Sequence, residues 1–136
     1  MALYWTIDSK ERLFTAGGEG DVTFDDAMLL LDVLVGAGAL AYGKLFDGRA
    51  AQSAMTMDEL LAVCAKVRSC HAQACHARGA MGPLALLVTP EQSVTLARLL
   101  GALAAADRPL KMFDSPRQAR LWLKEQTASA AAAAAS

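Results

Sequence analysis

Hydrophobic positions along the chain change their period several times, and each change marks an element. In "LYWTID" (Leu3–Asp8) apolar and polar residues alternate and aromatics are frequent, which is the pattern of a half-buried strand. "RLFTA" (Arg12–Ala16) has the same character and is expected to pair with it through the polar turn "SKE". "AGGEGD" (Ala16–Asp21) is rich in turn residues and reads as a loop. Short apolar runs recur at "AYGKLFD", ending at Asp47, at "LALLV" (Leu84–Val88) and at "LKMF" (Leu110–Phe113). A polar turn and a helix follow each run.

The helix starts are local and chemical. Thr23, Thr56, Thr89 and Ser115 each place a hydroxyl where it can accept from a free N–H of the first turn. Glu59, Gln92 and Gln118 stand three residues later and complete a capping box; Asp26 is a shorter substitute. Pro90 and Pro116 occupy the first helical position, where a missing N–H costs nothing. The three Thr caps recur at a spacing of 33 residues, but the segments behind them differ and strands intervene, so this is no helical repeat array. The predicted order is β-β-α-β-α-β-α-β-α. Strands alternating with helices imply an α/β fold with a mixed, mostly parallel sheet and the first hairpin at one side.

Composition narrows the classes. The 136 residues fit one domain, expected over residues 1–127, and 54% are hydrophobic, which excludes a disordered chain. Net charge is −1 with both signs interspersed, so no basic surface points to nucleic acid or anionic lipid. The first twelve residues lack the pattern of a secretory signal. The longest apolar stretch, "AMLLLDVLVGAGALAYG", is broken by Asp32 and two glycines, so no membrane span is expected. Three cysteines, an odd number, suit a reducing compartment, and a cytoplasmic protein is the expectation. The Ala-rich stretch 128–136 favours helix but has little to bury and is left out of the functional reading.

The densest chemistry is "SCHAQACHAR" (Ser69–Arg78), which holds both histidines and two of the three cysteines. On a helix, Met57, Leu60, Leu61, Cys64, Val67, His71 and Cys75 fall on one broad face, with Cys70 at its edge and His76 turned away. His71 and Cys75 therefore form an i, i+4 pair, and Cys64 stands about 16 Å from Cys75 along the axis. A tetrahedral metal needs three or four convergent ligands. Small buried cysteines and a helix-end histidine explain the stretch more simply, and a metal- or thiol-dependent activity at His71 and Cys75 is the third-ranked alternative. No G-x-G-x-x-G, Walker lysine, G-x-S-x-G or C-x-x-C occurs. No catalytic residue and no cofactor are expected.

The order of elements, "KLFDGR" at the third strand and "FDSPRQARLWL" (Phe113–Leu123) resemble the SpoIIAA-like proteins of the STAS superfamily over about Leu3 to Gln126. The resemblance implies helices packed mainly on one face of the sheet and a non-catalytic binding or regulatory role. Anti-sigma factor antagonists of this superfamily bind a kinase partner and are switched by phosphorylation of a serine in an Asp-Ser-Ser-Gly loop. This chain has "GRAAQSAMTMDEL" there instead, with Ser53 and Thr56 as the hydroxyls nearest the helix start. The SpoIIAA-like branch is also likened to SEC14-type lipid-binding domains.

These readings give two ranked expectations. The first is a protein-interaction or self-associating module that uses Asp47, Arg49, Ser53 and Thr56 as a recognition loop, with modification at Thr56 or Ser53. Its interface would be Leu30 and Leu34 of "AMLLLDVLV", a helix apolar on nearly every side. The second is a carrier or sensor of a small apolar or lipid ligand.

Overall fold

The first hairpin shows how locally the chain is instructed. Asp8 Oδ1 accepts the N–H groups of Lys10 and Glu11, both at 3.0 Å, which closes the turn. Arg12 then takes a left-handed backbone (φ 53°) and stacks its guanidinium 5.1 Å from the centre of the Tyr42 ring. The computed structural model describes residues 3–76, 82–92 and 110–135. Its elements are β1 (Leu3–Asp8), β2 (Leu13–Val22), α1 (Phe24–Gly36), β3 (Gly43–Ser53), α2 (Met57–His76), β4 (Leu84–Leu87), β5 (Leu110–Phe113) and α3 (Pro116–Ala135).

The five strands form one sheet in sequential order, β1-β2-β3-β4-β5. β1 runs antiparallel to β2, and the remaining pairs are parallel. The α/β, mostly parallel architecture read from the sequence is the architecture found. The expected helix starts are present at the bond level. Thr23 with Asp26, Thr56 with Glu59 and Thr89 with Gln92 each exchange both capping-box bonds, at 2.8–3.2 Å. Asp26 closes its box despite its shorter side chain. Residues 90–92 open a helical turn, and what was expected to follow lies outside the described residues. The Ala-rich stretch continues the backbone of α3 through Ala135.

Strand alternation divides the core in two. Leu45, Ala85 and Leu87 point to one face and pack on Ala119 and Leu123 of α3, with Phe113 and Trp122 ring centres 5.7 Å apart at the margin. Phe14 and Ala16 point to the other face and meet Leu34 of α1, with Leu30 and Phe46 beside them. Two of the three described helices, α1 and α2, lie over this second face, and α3 lies over the first. α1 and α2 hold each other through Leu31 against Val67 and Cys70, and through an exposed Lys66–Asp32 ion pair of 2.9 Å.

Two boundaries differ from the sequence expectation. "GGEGD" is not a loop, and Asp47 does not end its strand. β2 continues to Val22 and β3 to Ser53, paired with each other beyond the point where β4 stops opposite Asp47. Glycine is what allows it. Gly20 holds φ 71°, a backbone that few other residues adopt, and Gly17 leaves room for the Tyr4 ring that lies over it. Turn-like composition here serves a strand pair.

Candidate functional site

At the end of the shared sheet, register shifts by one residue. Gly17 faces Asp47 and Glu19 faces Ala50, so two residues of β3, Gly48 and Arg49, oppose Gly18 alone. This is a β-bulge, a device that bends a strand and breaks its ladder. Two carbonyls of this stretch are taken by one side chain. Gln92 Nε2 donates to Gly48 O at 2.7 Å and to Ala51 O at 3.0 Å. Its Oε1 meanwhile accepts from Thr89 N–H. One amide thus caps a helix and ties it to the bulge 44 residues earlier.

Asp47 and Arg49 flank the bulge and engage each other. Asp47 Oδ1 accepts from the Arg49 backbone N–H (3.1 Å) and Nε (3.0 Å), and Oδ2 accepts from Nη2 (2.9 Å). The side-chain bond to Arg49 holds the Asp47 carboxyl below its ordinary value, and the same bond raises the guanidinium. Both side chains are partly exposed, so the pair is a local, self-neutralising feature. Thr56 is committed to its capping box, bonded to Glu59 in both directions. A phosphate on it would lie beside Asp58 and Glu59. The expected recognition loop from Asp47 to Thr56 is therefore mostly strand, with Thr56 at a helix start. The side chain of Ser53 lies outside the described residues.

Above the Phe14–Phe46 face lies a cavity of about 750 Å³. Phe14, Ala16, Phe46, Leu84 and Leu86 form its sheet side; Leu30, Leu31 and Leu34 of α1 and Leu60, Val63 and Val67 of α2 form its helix side. Residues 48–52 of the β3 extension and Thr89, Glu91 and Gln92 form its rim. Leu30 and Leu34, expected to meet a second copy, face inwards; Leu34 is 5% exposed. They are directed there because the sheet offers Phe14 and Ala16 opposite that stripe. Among the described residues, the large apolar side chains exposed on this layer are Leu29 and Val35 on α1 and Met57 and Leu61 on α2.

α2 is also rotated relative to its expected face. Val67 and Cys70 are buried against Leu31 and Leu40, whereas Met57 and Leu61 are exposed. Cys70, placed at an edge by the sequence, is 1% exposed, because the inward stripe runs through residues 60, 63, 67 and 70 to meet α1. The side chains of His71 and Cys75, the sequence-level pair for metal or thiol chemistry, lie outside the described residues.

Sequence reasoning missed Lys44. It is 4% exposed, and its Nζ donates to the carbonyls of Leu40 (2.6 Å), Tyr42 (2.9 Å) and Gly82 (3.4 Å). A lysine between "YG" and "LFD" alternates correctly for a strand that faces solvent, so nothing in the pattern marks it as buried. Here the ammonium joins the α1–β3 loop to the entry of β4, and the residue lines the cavity.

No protein-family model matches the sequence, and no curated protein matches it. A solved structure does. It is an uncharacterized protein of the DUF3478 family from Shewanella loihica PV-4 with a SpoIIAA-like fold, similar at a TM-score of 0.60 over 90% of this chain and 93% of that one, with 16% sequence identity. The chain has a SpoIIAA-like fold. In it, "FDSPRQARLWL" sets Phe113 against Trp122 and seats Ala119 and Leu123 under the sheet. At this identity the likeness establishes the fold, and the function has to be argued from the site. Among the described residues, no helix of this SpoIIAA-like fold is long and apolar enough to cross a membrane.

Proposed function

We propose that this protein is a non-enzymatic binding module that carries or senses a small apolar ligand in the cavity between its sheet and the α1–α2 layer. The cavity carries the reading. Its volume of about 750 Å³ falls within the range of roughly 300–1,000 Å³ usual for small-molecule sites. Among the described residues its walls are mainly leucine, valine, alanine and phenylalanine, with polar groups confined to a few positions. An apolar space of this size forfeits packing contacts when empty, and an apolar occupant restores them. Non-catalytic binding also suits Arg49 and Gln92 at the rim, which are engaged in ion-pair, capping and bulge bonds.

A protein partner or self-association ranks second, because the leucines expected to form the interface face inwards and, among the described residues, the large apolar side chains left exposed on that layer are Leu29, Val35, Met57 and Leu61. Native mass spectrometry of the purified protein, with titration by the polarity-sensitive dye Nile red, tests the order. The expected result is a co-purifying lipid and saturable dye uptake, with uptake abolished in a folded Leu30→Trp variant whose indole occupies the space. A protein free of lipid that takes up no dye returns the surface reading to first place.

A further inference from the structure

The polar groups of the cavity gather at one end, and their commitments select among ligands. We infer that the natural ligand is an amphiphile with an uncharged polar head, an alcohol or ester rather than a carboxylate. This deepens the apolar-ligand reading and rests on it. Arg49, Gln52, Thr89, Glu91 and Gln92 of the lining all lie beyond the carboxyl ends of the β3–β4 ladder, whereas the described residues deeper in are apolar apart from Lys44. A ligand that matches this gradient has one polar end and an apolar body.

Charge decides the kind of head. The charged residues of the described lining are Lys44, Arg49 and Glu91. Lys44 directs its ammonium to the carbonyls of Leu40, Tyr42 and Gly82. Arg49 places Nε and Nη2 on Asp47, at 3.0 and 2.9 Å. Glu91 adds a negative charge to the rim. A carboxylate head would therefore meet cations already engaged and a like charge, after losing its hydration. A hydroxyl or ester loses far less on entering. The Thr89 hydroxyl, which accepts from Gln92 N–H, retains its own O–H to donate, and the Gln52 amide can both donate and accept.

The test is competition for Nile red on the full chain stripped of lipid. Myristyl alcohol and myristic acid are compared at about pH 8, where the acid is ionised. The alcohol is expected to displace the dye at a concentration about tenfold lower than the acid, or lower still. Asp47→Asn, which removes the negative charge and the Nη2 bond that hold Arg49, is expected to narrow that gap by improving the acid. Myristic acid equal to or tighter than the alcohol in the unaltered protein overturns the inference while the ligand reading stands. An unchanged gap in folded Asp47→Asn protein also overturns it, since the Asp47–Arg49 pair is then not what disfavours the anion. If that variant does not fold, the ratio in the unaltered protein decides. Failure of the dye and of both amphiphiles to bind overturns the ligand reading itself.

Discussion

Gln92 shows how one side chain can serve two elements. By capping logic alone, glutamate and glutamine are equivalent at this position, and Thr56 with Glu59 makes the same box. A carboxylate near a helix N-terminus even gains slightly from the dipole. Yet Gln92 also donates from Nε2 to Gly48 O and Ala51 O. In Gln92→Glu that nitrogen becomes an oxygen facing two carbonyl oxygens. The expected order of stability in urea unfolding is therefore Gln92, then Gln92→Ala, then Gln92→Glu. The alanine variant should lose about 1–2 kcal/mol, and the glutamate variant more. A Gln92→Glu protein as stable as its parent would mean that the amide bonds to the bulge contribute nothing. Lys44 makes the same point about legibility. Its capture of the Leu40, Tyr42 and Gly82 carbonyls depends on backbone brought together from distant segments, and alternation along β3 does not reveal it.

Elements were legible where their instructions are local. Thr23, Thr56, Thr89 and Ser115 each start a helical segment because the hydroxyl and its partner lie within one turn. The extents of β2 and β3 were hidden because "GGEGD" and "GRAAQS" have loop composition and become strand only by pairing with each other. The glycines themselves differ in kind. A Cβ on Gly17 would meet the hydroxyl end of Tyr4, an exposed side chain that can swing away. A Cβ on Gly82 would meet the backbone carbonyls of Ala41 and Tyr42, which are fixed by the loop that Lys44 holds. Gly82 N–H also donates to Leu40 O at 2.8 Å, so the segment cannot retreat without breaking a bond. Gly82→Ala is thus expected to destabilise by about 1–3 kcal/mol, and Gly17→Ala by well under 1 kcal/mol. Chemical denaturation of both variants checks the contrast, and equal costs would show that the 82 segment yields as readily as a tyrosine ring.

The two faces of the sheet are built to different standards. On one, α3 seats Ala119 (0% exposed) and Leu123 directly on Leu45, Ala85 and Leu87, and a leucine buried in this way contributes about 1.5–3 kcal/mol. On the other, α1 sets Leu34 on Phe14 and Ala16, and among the described residues α1 and α2 border a partly open cavity of about 750 Å³ and hold to each other through Leu31, Val67, Cys70 and an exposed ion pair. From the sequence, a pocket-lining role for this helix ranks only second for this reason. The apolar run Ala27–Val35 announces burial, but whether it meets the sheet closely or roofs a cavity depends on the spacing between layers. Regional stability follows contact density, so the α1–α2 layer should open below the global unfolding free energy. In hydrogen exchange, the amides of α1 and α2 are expected to exchange at least tenfold faster than those of β3, β4 and the α3 turns around Ala119. Myristyl alcohol at about a hundred times its dissociation constant adds roughly 2.7 kcal/mol to any opening that releases it. It should therefore slow exchange in α1 and α2 by about a hundredfold, and leave the α3 amides unchanged where they open without releasing it. Uniform slowing across the molecule would mean that the ligand is released only by global unfolding. The two faces would then belong to one cooperative unit, despite the cavity between α1–α2 and the sheet.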